Sequence, residues 1–125
     1  MTGSAQDPLT EKIIGCAIEV HRRLGPGLLE SVYESALAIE LEHCGLKFER
    51  QVALPITYRD RPIGDLRMDI VVDKSVILEL KSVEMLDPLF EAQLLTYLRL
   101  SGLKTGLLIN FNNRLLHQGI KRLIV

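Results

Sequence analysis

Asp69, Glu79 and Lys81 are three charged residues set among apolar neighbours in the run Met68-Asp69-Ile70-Val71-Val72-Asp73-Lys74-Ser75-Val76-Ile77-Leu78-Glu79-Leu80-Lys81. Two stretches of Val, Ile and Leu flank the polar triplet Asp73-Lys74-Ser75, which reads as a β-hairpin. Side chains alternate faces along a strand, so Glu79 and Lys81 emerge together while Leu78 and Leu80 point the other way. Residues directly opposite in an antiparallel pair share a face. A three-residue loop of Asp73, Lys74 and Ser75 therefore sets Asp69 across from Glu79, whereas a two-residue turn would send Asp69 to the wrong side.

In the three-residue register, two carboxylates and an ammonium converge. Adjacent carboxylates repel unless a cation lies between them. Mg²⁺ suits such a pair, because it takes oxygen ligands, needs only one or two protein carboxylates and keeps positions for water and phosphate. Mn²⁺ is the alternative. The chemistry that follows is phosphoryl transfer: the ion acidifies a water and polarises the phosphorus, while Lys81 orients that water or neutralises developing charge. Taken alone, Glu-x-Lys on a strand face is more often a solvated charge pattern, so the reading depends on the rest of the chain.

The elements that must position these residues follow from periodicity. Asp7-Pro8 caps a first helix whose apolar positions are Ile13, Ile14, Ala17, Ile18, His21 and Leu24. His21 has no second His or Cys at metal spacing and reads as a residue bordering the core. Gly25-Pro26-Gly27 ends that helix. A second helix starts near Leu29, with a stripe of Val32, Tyr33, Ala36, Leu37 and Leu41 and a stop at Gly45. Glu30 lies in its first turn, where the helix dipole favours a carboxylate. Lys47 to Tyr58 reads as one or two short strands broken at Pro55, and Arg59-Asp60-Arg61-Pro62 as a turn. Strands over Ile63 to Val72 and Val76 to Val83 complete a meander. Asp87-Pro88 opens a third helix carrying Leu89, Phe90, Leu94, Leu95, Tyr97 and Leu98 and ending before Gly102. Gln93 and Tyr97 share a face of it. Gly106 to Ile109 reads as a buried strand, Asn112-Asn113 as a turn, and the last residues as a terminal strand. The expected architecture is α+β, with helices against a sheet.

At 125 residues with 47% hydrophobic and 25% charged side chains, the composition is that of an ordinary folded domain. Residues 7–125 are assigned to one domain, after a small polar tail over 1–6 expected to be flexible. The net charge of −1 gives no overall basic balance, so nucleic-acid contact would rest on local groups such as Arg22-Arg23, Arg59 with Arg61, and Lys121-Arg122. Two cysteines, Cys16 and Cys44, make no disulfide framework and read as buried, reduced thiols. No signal peptide or membrane-crossing run is visible, so the expected compartment is the cytoplasm and no membrane partner is expected.

The segment Gly27-Leu28-Leu29-Glu30-Ser31-Val32-Tyr33 resembles the signature of the GxxExxY family. The likeness continues through Asp69, Glu79-Leu80-Lys81, Gln93-Leu94-Leu95-Thr96-Tyr97-Leu98 and Gly106-Leu107-Leu108-Ile109-Asn110-Phe111, covering nearly everything after residue 10. That family is placed in the PD-(D/E)XK nuclease superfamily. The resemblance implies a restriction-endonuclease-like fold, with a central mixed β-sheet flanked by helices and a Mg²⁺-dependent phosphodiesterase site. It implies Asp69 and Glu79 as metal ligands, the Leu80 carbonyl completing the shell, and Lys81 as the catalytic lysine. Glu30 matches an extra acidic position of the RecB-like branch and is a further candidate ligand. Gln93 and Tyr97 match that branch's Gln-x-x-x-Tyr helix, which supports the lysine and the phosphate backbone, and Tyr33 is expected to pack beside them. The proline that often precedes the first aspartate is replaced by Arg67-Met68. The cysteines of iron–sulfur members are missing, so no cluster is expected.

The leading expectation is a metal-dependent nuclease acting on DNA. The alternative is a non-catalytic module on the same fold that binds nucleic acid or a protein, which the near-neutral charge favours. One site per chain makes a homodimer an expectation for double-strand cleavage.

Overall fold

The computed structural model describes residues 7–125; the expected tail over 1–6 lies outside the described residues. The element order is α1 (Pro8–Leu24), α2 (Glu30–His43), β1 (Phe48–Tyr58), β2 (Arg61–Val72), β3 (Val76–Lys81), α3 (Pro88–Ser101), β4 (Thr105–Asn110), a 3₁₀ turn (Leu116–Gly119) and β5 (Ile120–Ile124). The strands form one mixed sheet in the order β1-β2-β3-β4-β5. Only β3 and β4 run parallel, with α3 as the crossover between them, and the other neighbours are antiparallel.

Both proline-led helices begin as their sequences dictate. Asp7 accepts from the Thr10 amide at 2.7 Å and Asp87 from the Leu89 amide at 2.8 Å, satisfying donors that a helix start leaves open. Helices α1 and α2 cover one face of the sheet around Ile13, Tyr33, Leu37, Leu78 and Leu107. Helix α3 covers the other around Ile77, Leu94, Tyr97 and Leu108.

The buried stripes differ in detail from the expected ones. In α1 the core face is Thr10, Ile13, Cys16, Ala17, Val20 and His21. Ile18 and Leu24 are instead exposed, because the helix turns a face centred on Ile13 and Ala17 toward α2 and the sheet. In α2, Glu34 and Ala38 join Tyr33, Leu37 and Leu41, while Val32 lies outside. Leu89 of α3 is also exposed. Cys44 is exposed rather than buried, since it forms the C-cap of α2, although its Sγ lies 3.3 Å from that of buried Cys16. His21 borders the core as expected and sits 2.6 Å from the Asn113 carbonyl.

Where one or two short strands were expected over Lys47 to Tyr58, the structure has a single 11-residue strand, Phe48–Tyr58. Pro55 is tolerated because β1 is an edge strand, bonded only to β2, so its missing N–H can fall on the open side. The turn joining β1 to β2 is only Arg59-Asp60, both with positive φ, and Arg61 and Pro62 already belong to β2. Before Ile70, β2 has no ladder partner in β3, so the part of the β1–β2 hairpin nearer its turn extends as an arm.

Candidate active site

Strands β2 and β3 pair Ile70 with Leu78, Val71 with Ile77 and Val72 with Val76. The loop is therefore Asp73-Lys74-Ser75, and the next step in this register sets Asp69 across from Glu79. The two residues are joined through each other's backbone. The Asp69 amide donates to Glu79 Oε2 at 3.0 Å, and the Leu80 amide donates to Asp69 Oδ2 at 2.8 Å. Each carboxylate thereby keeps a second oxygen, Asp69 Oδ1 and Glu79 Oε1, with no hydrogen-bond partner among the described residues.

Electrostatics match that geometry. Glu79 is buried, and burial together with the Asp69 charge pushes its carboxyl up to about 8. Asp69 is also raised, by burial first and then by the charges of Glu34 and Glu30, against the pull of the Leu80 amide and Lys81. One buried and one half-buried carboxylate short of positive charge, each with an oxygen left over, fit a hard divalent cation. Among the described residues no group of three or more His, Cys, Asp or Glu side chains is arranged around an ion. Such an ion would thus complete its shell with backbone oxygen, water or substrate.

Lys81 shares the Glu79 face and places Nζ 4.3 Å from the centroid of the Phe90 ring on α3. A cation over an aromatic face is held by the ring quadrupole. Behind it, buried Asn110 on β4 accepts from the Val83 amide and donates to the Val83 carbonyl, fixing the chain just past the lysine.

The N-terminal end of α2 approaches from the other side. Glu30 is exposed, and its Oε2 lies 3.4 Å from the Ser82 amide, while Ser82 Oγ donates to the Leu28 carbonyl at 2.6 Å. The glycine and tyrosine of the same motif explain how this end is held. Gly27 has φ +96°, a conformation costly for any side chain. Tyr33 is fully buried, stacks on Phe111 with centroids 4.4 Å apart, accepts from the Leu28 amide and donates to the Gly25 carbonyl. Tyr33 therefore anchors the loop that leads into Glu30.

On α3, Tyr97 is buried, and its hydroxyl is raised by burial and by the charges of Glu79 and Asp69. Gln93 lies on the same side of the helix, between Phe90 and Tyr97 in sequence, but it is exposed and makes no hydrogen bond to Lys81 among the described residues. The Leu80 side chain is in the α1/α2 core, and its amide rather than its carbonyl meets Asp69.

Sequence reasoning missed three residues of this neighbourhood. Glu34 follows Glu30 by one helical turn and is 8% exposed. It accepts from Arg50 Nε at 3.0 Å and from Gln51 Nε2 at 2.7 Å. The signal available for Glu34 was its spacing of three and seven residues from Leu37 and Leu41, which sets an acid on the apolar stripe, where a carboxylate is rarely found unless paired. Phe90 was read only as part of the core stripe, and Gln51 carried no signal.

Comparison with curated proteins and with solved structures gave no significant match. The family model described as the PD-(D/E)XK nuclease superfamily matches residues 7–123. With nearly the whole chain matched and a mixed sheet between helices, the chain belongs to the PD-(D/E)XK nuclease superfamily.

Proposed function

We propose that this protein is a Mg²⁺-dependent nuclease that hydrolyses phosphodiester bonds in DNA, with Mn²⁺ able to substitute. We place it in the GxxExxY family on the RecB-like side of the superfamily. The observation that carries the reading is the reciprocal bonding of Asp69 and Glu79, which ties the two carboxylates together and leaves one oxygen of each without a hydrogen-bond partner among the described residues.

Asp69 Oδ1 and Glu79 Oε1 would hold the ion, with the Leu80 carbonyl as a third ligand and Glu30 as a more distant fourth. A bound divalent cation supplies Lewis-acid polarisation of the phosphate and acidifies water. Lys81 carries the remaining positive charge of the site. Its ammonium, steadied over Phe90, either binds a non-bridging phosphate oxygen or orients the attacking water. Tyr97 offers a hydroxyl beside the carboxylates, and Gln93, on the solvent side of the same helix, is placed to meet the polymer backbone rather than the lysine. One site per chain cuts one strand per event, so duplex scission uses two copies, and the exposed edge of β5 is a surface for that pairing. A cytoplasmic location accords with the absence, among the described residues, of any helix long and apolar enough to cross a membrane.

A second reading keeps the fold as a binding module without hydrolysis, favoured by the net charge of −1. Incubating the protein with single-stranded, duplex and branched DNA and with RNA, each with Mg²⁺, Mn²⁺ or chelator, separates the two. Metal-dependent product on one DNA substrate supports the nuclease. Binding without product, weakening steeply with salt, supports the module.

A further inference from the structure

The two faces of the β1–β2 hairpin exchange at one point. Phe48 on β1 and Ile70 and Val72 on β2 pack into the α1/α2 core, whereas Val52 and Leu54 on β1 and Leu66 and Met68 on β2 pack against α3. Even-numbered residues should stay on one face of a strand. They change sides between Phe48 and Val52 on β1 and between Met68 and Ile70 on β2. The register is the same before and after, Arg50 with Ile70 and Val52 with Met68, so no residue has been inserted. The pair missing from the ladder is Gln51 with Asp69.

Gln51 has φ +50° within a strand, a left-handed conformation that a non-glycine residue holds only at a cost of about 1–3 kcal/mol. Such a conformation persists when its surroundings fix it from several sides. Here two side chains hold Gln51 directly, and a further tie holds its neighbour. Glu34 accepts from Gln51 Nε2 at 2.7 Å, and Arg67 Nη1 donates to the Gln51 carbonyl at 3.0 Å. Neighbouring Arg50 is held by Glu34 at 3.0 Å and by Ser35 Oγ at 3.2 Å. Helix α2 thus grips β1 at the residue that stands across the sheet from Asp69.

We infer that Gln51 and Glu34 are positioning residues: their tie maintains the left-handed kink that releases Asp69 from the β1 ladder and turns its carboxylate toward the Leu80 amide and Glu79. The inference rests on the nuclease reading for its purpose, but its geometry does not. An ordinary ladder residue at position 51 would pair with Asp69 and continue the alternation, returning the Asp69 side chain to a regular strand position.

The test compares wild type with Gln51→Ala, Glu34→Gln and Gln51→Lys, whose ammonium can still reach Glu34. Two readouts are taken: native-state amide exchange at Asp69 and Leu80 relative to Leu107 and Leu108 in the central strand β4, and Mn²⁺ affinity by calorimetry. Gln51→Ala and Glu34→Gln are expected to speed exchange at Asp69 and Leu80 by about tenfold more than at β4, and to weaken Mn²⁺ binding about tenfold. Gln51→Lys should stay within about threefold of wild type in both. Acceleration spread evenly over β4 and the site, or a Gln51→Lys protein that behaves as Gln51→Ala does, overturns the inference. Wild type that binds no Mn²⁺ sinks the metal site itself, and the exchange ratio still decides whether the tie positions Asp69.

Discussion

Asp69 and Glu79 each bind through the other's strand: the Asp69 amide reaches Glu79 Oε2 at 3.0 Å, and Asp69 Oδ2 takes the amide of Leu80, the residue after Glu79. This exchange does two things. It replaces the backbone pairing that ends at Ile70 and Leu78, and it fixes the orientation of both carboxylates before any ligand arrives. A site whose acids are held this way loses little conformational freedom when it binds a cation.

Without a cation, the pair costs stability, and the sign is determined by the raised carboxyls. Glu79 titrates near 8 in the folded protein, against an ordinary value of 4.5. Between those values the folded state binds more protons than the unfolded one, so stability falls as pH rises through that window. Asp69, also raised, acts in the same direction. Thermal melts in chelator should therefore show Tm falling from about pH 5 to pH 8, by an amount corresponding to a few kcal/mol at most. Glu79→Gln should flatten the profile, and Mg²⁺ added at pH 8 should raise the wild-type Tm. A flat profile in wild type would mean the pair is better compensated than its burial implies.

Phe90 steadies the ammonium of Lys81 from α3, 4.3 Å from the ring centroid. Phe90→Leu keeps an apolar side chain and removes the ring. Turnover should fall roughly fivefold, the equivalent of about 1 kcal/mol, with substrate KM changed much less. A loss confined to KM would place the ring in substrate binding instead.

Tyr33 sets the loop that enters α2. Tyr33→Phe retains the stacking on Phe111 but leaves the Gly25 carbonyl and the Leu28 amide without their shared partner. Denaturant unfolding should show a loss of about 1–2 kcal/mol. Activity should fall further than stability explains, because Glu30 and the Ser82 contact with Leu28 depend on the same loop.

The arm ends in Arg59-Asp60, both in the left-handed region with φ +48° and +67°. Two-residue hairpin turns with positive φ at both positions favour Asn-Gly. The double change Arg59→Asn with Asp60→Gly should raise stability by about 1 kcal/mol in chemical denaturation, because neither new residue resists that conformation. No gain would show that the two side chains make stabilising contacts at the tip.

Much of the β2–β3 hairpin was legible because its signal is local. The apolar runs around Asp73-Lys74-Ser75 narrowed the register to two cases, of which the structure has the three-residue loop that faces Asp69 toward Glu79, and the capped prolines marked the starts of α1 and α3. The single strand through Pro55 was not legible, since tolerance of proline depends on β1 being an edge, and edges are set by the whole sheet. The link between Glu34 and Gln51 was hidden for a related reason. Their link spans helix and strand, and the left-handed backbone at Gln51 follows from what grips it rather than from its residue type. Local periodicity found Ile13, Ala17 and His21 of α1 and Tyr33, Leu37 and Leu41 of α2 but misplaced the flanks of both stripes, because the exact face an amphipathic helix buries depends on its neighbours.

The central claim, that Asp69, Glu79 and Lys81 form a hydrolytic site, is tested most directly by cleavage of end-labelled DNA by wild type and Glu79→Gln in Mg²⁺, with chelator controls and folding verified by circular dichroism. Product is expected from wild type only with the metal present, with a loss of at least about a hundredfold in Glu79→Gln. Equal cleavage by both proteins, or none by wild type together with no measurable binding of Mg²⁺ or Mn²⁺, would contradict it.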